Sequence, residues 1–258
     1  MTLRNIITLM TDFGSRDHYA GVMKGVILGI NPNARIVDIT HEVEKYNIIE
    51  AAFKLLSYYT YFPRGTVHTA VVDPGVGGPR RPLAIDAGGY FFVGPDNGIF
   101  STVLDSLDDL RVVEITNAAY MLGNVSGTFH GRDIFAPTAA HLSSGADICE
   151  LGDPAAEPVS LEFPEPSVSG GEITGEVLYV DSFGNLVTNI RGETVGPGST
   201  VYVGQHRAGG VSRSYGEAGK SELLAIIGSA GLLEISVNQG SAKDFLGAKQ
   251  ISVKVVTV

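Results

Sequence analysis

The chain has 258 residues, 44% of them apolar, which allows one large domain or two small ones around a sizeable core. Its formal net charge of −10 argues against a nucleic-acid backbone as partner, which would reward a basic face, and no apolar run approaches the roughly 20 residues that span a bilayer. A single cysteine, Cys149, excludes an intramolecular disulfide, a Cys-rich zinc site and a redox pair.

Met1-Thr2-Leu3-Arg4 leads into an apolar run rather than a signal peptide, so a cytoplasmic address is expected. Three runs in the first third, Ile6 to Met10, Arg35 to Val37 and Val67 to Val72, have the length and β-branched content of buried strands. Each ends in an acidic, turn-rich segment that carries Asp12, then Asp38 and His41, then Asp73. Ligands of open α/β sheets sit at the carboxyl ends of the strands, so these groups are expected to converge on one site. Helical spacing over 17–31, stopped by Asn31-Pro32, and over 47–60, stopped before Pro63, alternates with the strands as in a parallel sheet with covered faces. Shorter strands follow at 82–86, 90–93 and 111–115, and then a helix over 134–144 with Asp133 as its N-cap and Gly145 as its stop. Cys149 reads as a small buried or half-buried hydrophobe.

Between Pro154 and Gly171, proline and glycine punctuate a stretch with no helical period. Beyond it come β-type runs near 172–180, 186–190, 200–204, 222–227, 232–237 and 250–257. The expected architecture is α/β, with an N-terminal α/β/α domain over 1–163 whose central sheet is largely parallel. A linker over 164–171 and a smaller antiparallel β-barrel or sandwich over 172–258 complete it.

Six polar segments stand out. In Thr11-Asp12-Phe13-Gly14 the carboxylate sits at a strand tip, where it can accept the cis hydroxyls of a ribose or simply cap the next helix. The loop Asp73 to Arg81 puts an acid and an arginine at its two ends, facing each other as a reactive pair or as a brace; it lacks the Gly-Lys-Ser/Thr ending of a phosphate loop. His130, in Thr128-Phe129-His130-Gly131-Arg132-Asp133, suits a general base, a metal ligand or a structural group, while Arg132 and Asp133 fix the turn. Pro95-Asp96-Asn97-Gly98 is turn chemistry. In the second half, Asp181 to Asn185 with Thr188-Asn189 offers amides suited to the edge of an adenine, and Ser229 with Asn238 to Ser241 forms another polar cluster.

Taken together, Thr11 to Gly14, Asp38 to His41, Val72 to Gly77, Pro95 to Gly98, Thr128 to Asp133 and Phe183 to Asn189 closely resemble the S-adenosylmethionine (SAM) hydrolase family. This is the SAM hydroxide adenosyltransferase group, related to fluorinating and chlorinating SAM enzymes. The resemblance implies that water or hydroxide attacks the ribose C5′ and releases adenosine and methionine, without cofactor or metal. It implies a catalytic Asp73, Arg80 and His130, with Arg81 the less well spaced candidate. Asp12 would hold the ribose hydroxyls, Tyr46 would pack on the ligand, and Asp181 with Ser229 would bind the methionine end. Asn185, Tyr215 and the backbone near Asn238 and Gln239 would hold adenine. A homotrimer is implied, with the ligand between the N-terminal domain of one subunit and the C-terminal domain of the next. The chain departs from the halogenating relatives at Asp73, Val76 and His130, in its short link from Arg81 to Phe92, and in carrying Ala230 where they place an arginine. Three rival readings remain: a halide-dependent SAM transferase, a non-catalytic SAM or adenosine binder, and a metal hydrolase built on Asp12, Asp38, His41 and Asp73.

Overall fold

Unbroken apolar runs become the strands of a seven-stranded sheet. The computed structural model describes residues 5–196, 198–247 and 252–256, and the chain divides into two units, Met1–Leu161 and Glu162–Val258. The first unit runs β1 (Ile6–Thr11), α1 (Tyr19–Ile30), β2 (Arg35–Thr40), α2 (Ile48–Tyr58), β3 (Val67–Val71), β4 (Pro82–Ala87), β5 (Tyr90–Pro95), α3 (Ser101–Leu104), β6 (Arg111–Ile115), α4 (Ala136–Ser143) and β7 (Gly152–Pro154). Its strand order is β2-β1-β3-β5-β4-β6-β7. The half from β2 to β5 is parallel, because α1 and α2 supply the crossovers; β4 pairs antiparallel with both β5 and β6, since Gly88-Gly89 is all that joins β4 to β5.

Strand alternation sends Ile7 and Leu9 of β1 into one core with Met23 and Ile27 of α1 and Phe135, Ala136 and Ala139 around the start of α4. Met10 enters a second core with Ala51 and Leu55 of α2 and Phe100 and Val103. Helices therefore cover both faces. Each fully buried aliphatic chain in these layers contributes about 1.5–3 kcal/mol relative to exposure. The rigid product is a row of strand ends on which loops are hung.

Three local expectations are corrected. β2 is not a buried strand: it forms the sheet edge, with Arg35, Val37 and Asp38 exposed. Asp133 is not an N-cap, because Gly131–Phe135 wind into a wide π-helical turn ahead of α4 and place Asp133 inside it, fully buried. Cys149 is exposed, on a short turn at Ile148–Glu150, with Arg111 Nη1 3.9 Å from its sulfur.

The second unit contains β8 (Ser167–Ser169), β9 (Glu172–Val180), β10 (Leu186–Arg191), β11 (Thr200–Val203), β12 (His206–Gly209), β13 (Val211–Ser212), β14 (Leu223–Ile227), β15 (Leu232–Val237), α5 (Ala242–Leu246) and β16 (Ser252–Val256). The strands form one sheet in the order β12-β11-β16-β9-β10-β15-β14-β13, with β8 on β9, and it curls until β12 meets β14 as in a nearly closed barrel. Ile190, Val201, Leu233, Ile235, Val253 and Val255 fill its interior. β8 lies inside the stretch read as linker, and β12 and β13 are too short and glycine-rich to carry a pattern. Residues 250, 251 and 257 of the last expected run lie outside the described residues. Among the described residues no helix is long and apolar enough to cross a membrane.

Candidate active site

Parallel pairing of β1 with β3, Thr11 opposite Val71, makes Asp12 and Asp73 leave neighbouring strands at the same, carboxyl-terminal end of the sheet. The loop after Asp73 doubles back so that Arg80 meets it as a fork. Nε lies 3.0 Å from Oδ1 and Nη2 lies 2.6 Å from Oδ2, with both side chains nearly buried. The guanidinium rests 5.4 Å from the centre of the Phe135 ring. Nη2 also lies 2.6 Å from His130 Nδ1, so one arginine joins acid and imidazole.

His130 is delivered by backbone contact between loops. Gly77 has φ +75°, and a Cβ there would stand 2.1 Å from the Gly127 carbonyl oxygen, so only glycine lets the two loops close. Asp133 anchors the far side: its carboxylate accepts from Ser126 N–H at 2.8 Å and from Arg132 Nε at 2.5 Å. Burial alone would raise the Asp133 carboxyl, but the bonds from Arg132 and Ser126 hold it below the usual carboxylate range. Arg132 in turn lies over Phe129, 5.2 Å from the ring centre.

This geometry sets a protonation state. Arginine only donates, so Nδ1 of His130 must accept and the ring is neutral. Burial, then the Arg80 charge, push the His130 pKa below its ordinary value, in the same sense.

Asp12 is buried, and its Oδ2 accepts the Tyr46 N–H at 3.0 Å. Lys45 Nζ donates to the Asp12 carbonyl. Tyr46 reaches this position with φ +66° and leaves its ring 70% exposed beside the strand ends. Phe13 and Phe129 meet edge to face at 5.8 Å, tying the Asp12 loop to the His130 loop.

Asp38 and His41 do not join this group, contrary to the convergence expected of the strand-end acids. Asp38 pairs with Lys24 at 2.5 Å on the exposed sheet edge and takes His41 Nε2 at 3.1 Å, while His41 Nδ1 faces Thr11 Oγ1 at 2.9 Å. Burial opposes ionisation of Asp38, but Lys24 and His41 together hold its pKa below the usual range. Among the described residues no group of three or more His, Cys, Asp or Glu side chains is arranged to hold a metal ion. Arg81 is committed elsewhere, to buried Asp96 at 2.7 Å and the Glu157 carbonyl at 3.0 Å. Asp96 also accepts Val159 N–H, and Asn97 donates to the Val72 carbonyl, so that motif braces the loop from beneath.

In the second unit Asp181 organises a turn by accepting Phe183 N–H, Asn185 N–H and the Asn185 amide, at 2.9, 2.8 and 2.9 Å. Phe183 is thrust outward, 76% exposed, and Asn185 is buried. Tyr215 donates to Glu234 Oε2 at 3.3 Å. Ser229 and Gln239 are exposed, Gln239 with φ +54°, and Asn238 donates to the Ala218 carbonyl at 2.7 Å. Asn189 holds the Pro164 carbonyl at 2.7 Å and Glu176 N–H at 2.9 Å, which is a bracing role.

Glu234 was missed by sequence reasoning. Burial first, then the Asp181 charge, raise its pKa, and a Cβ on Gly228 would overlap its Oε1 at 1.7 Å. The signal was a single acid interrupting the apolar run Leu232-Leu233-Glu234-Ile235. Asp181, Tyr215, Gly228 and Glu234 thus form a second polar focus within this unit.

Comparison with known proteins agrees with both halves. Residues 7–152 match the SAM hydroxide adenosyltransferase N-terminal domain, and residues 175–252 match the corresponding C-terminal domain. A Salinispora tropica protein named (R)-S-adenosyl-L-methionine hydrolase is 38% identical over 245 residues, 93% of each chain. A Thermus thermophilus protein of the same name is 39% identical over 252 residues, 95% of this chain and 96% of its own. A fluorinase from Actinoplanes sp. is more distant, 29% identical over 212 residues and 72% of this chain. The crystal structure of a conserved Thermotoga maritima protein superposes with a TM-score of 0.90 at 38% identity, covering 98% of this chain and all of that one. The chain belongs to the SAM hydroxide adenosyltransferase family.

Proposed function

We propose that this protein hydrolyses (R)-S-adenosyl-L-methionine to adenosine and L-methionine, and that Asp73, Arg80 and His130 carry the reaction. The observation supporting it most directly is the fork of Arg80 on Asp73 with the same guanidinium touching His130. A water oxygen forms the new bond to C5′ while the C5′–S bond breaks, its electron pair returning to sulfur as the methionine thioether. The water's proton goes to Asp73, because the Nδ1 lone pair of His130 is already taken by Arg80. Arg80 favours hydroxide character in that water, and the neutral imidazole keeps the guanidinium aimed. A sulfonium leaves readily without a general acid, so the task is to align and desolvate the nucleophile.

Asp12 receives the ribose hydroxyls and Tyr46 packs on the ligand. Asp181 and Ser229 take the methionine end; Asn185, Tyr215 and the backbone at Asn238 and Gln239 take the adenine. The reading further takes the protein to be a cytoplasmic homotrimer in which the two sets serving one ligand come from neighbouring subunits.

The test is incubation of the purified protein with separated (R) and (S) sulfonium epimers, following adenosine and methionine by chromatography. Adenosine release from the (R) epimer, slowed about 100-fold or more by Asp73→Asn, is the expected result. Tight binding without release, or a 5′-halo nucleoside appearing only with added chloride or fluoride, overturns it.

A further inference from the structure

Asp38 and His41 have no part in the group around Arg80, yet every polar atom of their side chains is engaged. Lys24 on α1 donates to Asp38 Oδ2 at 2.5 Å, His41 Nε2 lies 3.1 Å from Asp38 Oδ1, and His41 Nδ1 lies 2.9 Å from Thr11 Oγ1. Thr11 Oγ1 accepts the Phe13 N–H at 3.2 Å, and the His41 carbonyl accepts the Gly14 N–H at 2.6 Å. One histidine therefore holds both ends of the turn Thr11 to Gly14, the first through its ring and the second through its backbone. Asp12 lies between them.

The donor directions are consistent along the whole chain. A carboxylate at Asp38 accepts from both Lys24 and His41 Nε2–H, which leaves Nδ1 to accept the Thr11 hydroxyl, whose oxygen accepts Phe13 N–H. The pairing of β1 with β2 slips between Leu9 and Met10, from Asp38 to Thr40, and this bulge marks the point where the β2 end turns over the tip of β1. Thr11 is fully buried, so its bond to His41 is shielded from water.

We propose that Lys24, Asp38, His41 and Thr11 are positioning residues for the ribose-binding carboxylate, setting how tightly substrate is held rather than how fast it reacts. This rests on the reading of Asp12 as the acceptor of the ribose hydroxyls. The hydrogen bonds among Asp73, Arg80 and His130 do not pass through the chain, which meets that group through the Phe13–Phe129 ring contact, so its effect is expected on binding first.

The test is Thr11→Val, which removes the hydroxyl at nearly constant volume, against Thr11→Ser, which keeps it. Thr11→Val is expected to raise KM for SAM and Kd for adenosine, by steady-state kinetics and calorimetry, about 10-fold with kcat within about 3-fold of wild type. Thr11→Ser is expected to return both constants to within about 3-fold of wild type. Unchanged KM and Kd in Thr11→Val, or a loss confined to kcat, overturns the proposal. If Thr11→Val does not fold, Asp38→Ala on the exposed edge decides instead: a rise in KM and Kd of about 3-fold is expected, and no change overturns it. A wild type that binds adenosine but never turns SAM over defeats the hydrolase reading alone, and the adenosine Kd of the variants still decides this one; a wild type that binds no adenosine defeats both.

Discussion

His68 of β3 is fully buried, and its titration gives a measurable acid sensitivity to the first unit. Tyr58, Tyr59, Phe62, Tyr90 and Phe92 surround the ring at centroid distances of 5.5–6.4 Å, with Phe92 stacked at 5.5 Å. Nδ1 meets Thr8 Oγ1 at 2.9 Å, while Nε2 has no hydrogen-bond partner among the described residues. Burial pushes the pKa from 6.5 down to about 3. In the unfolded chain the ring charges below pH 6.5, whereas in the folded chain it stays neutral to about pH 3. The unfolded state thus binds the extra proton across that window, and stability falls with pH by about 1.4 kcal/mol per unit. At pH 4.5 the accumulated loss is about 2.7 kcal/mol, most of which His68→Phe should remove. At pH 7.5 the same variant leaves the buried Thr8 hydroxyl without its imidazole partner, costing about 1–2 kcal/mol. The ranking should therefore invert: wild type more stable at pH 7.5, variant more stable at pH 4.5. Urea unfolding followed by far-UV circular dichroism reads it, the chain having no tryptophan. If two transitions appear, the inversion is expected in the one belonging to the first unit. Parallel stability curves for the two proteins between these pH values would refute the buried-neutral assignment.

Arg80→Lys keeps the charge but loses the fork that reaches Asp73 and His130 together, so kcat for adenosine release is expected to fall about 100-fold with a melting temperature little changed; near-normal kcat refutes the orienting role. Gly77→Ala puts a methyl against the Gly127 carbonyl at a φ of +75°, and is expected to cost about 1–3 kcal/mol in unfolding experiments while lowering kcat, with wild-type values in both refuting the close approach. Because burial and then Arg80 depress the His130 pKa, the working neutral ring persists below pH 6.5; kcat/KM should stay level from about pH 8 to 6.5 and decline only at more acid pH, whereas activity rising toward acid contradicts the acceptor role of Nδ1.

The acid and arginine at the two ends of the Asp73 to Arg81 loop were legible because a loop of that length, dense in glycine and proline, has to return close to its start. His130, fifty residues further on, carries no local sign of its partner: its contact with Arg80 depends on Gly77 meeting Gly127, a tertiary fact visible only through the family motifs. The edge position of β2 was hidden for a similar reason. Arg35-Ile36-Val37 has the β-branched content of an interior strand, and only the sheet order shows that no strand among the described residues pairs beyond it. At Asp133 a sound local rule pointed the wrong way. An acid before a helical run is ordinarily a cap, but Arg132 and Ser126 offer it a better set of donors at the centre of the π turn. Glu234 escaped because a strand acid reads as a solvent-facing residue until Tyr215 and Gly228 are seen against it.

The charge of the Arg80 cluster bears on the chemistry it can perform. A sulfonium substrate begins cationic and ends as a neutral thioether, so its positive charge is lost as the C–S bond breaks. A site with surplus negative charge beside that sulfur would hold the ground state more tightly than the transition state and raise the barrier. Asp73 contributes one negative charge, Arg80 one positive charge, and His130, held neutral by accepting from Arg80, contributes none. The cluster is thus balanced, and on the proposed mechanism it would still present a carboxylate to the water and a guanidinium to the developing hydroxide. Replacing Arg80 by a neutral residue would leave Asp73 unpaired near the cation. Substrate would then bind more tightly and react more slowly, with KM and kcat falling together. A residue needed only to bind substrate would instead raise KM, and Arg80→Gln therefore separates the two roles in a single kinetic measurement.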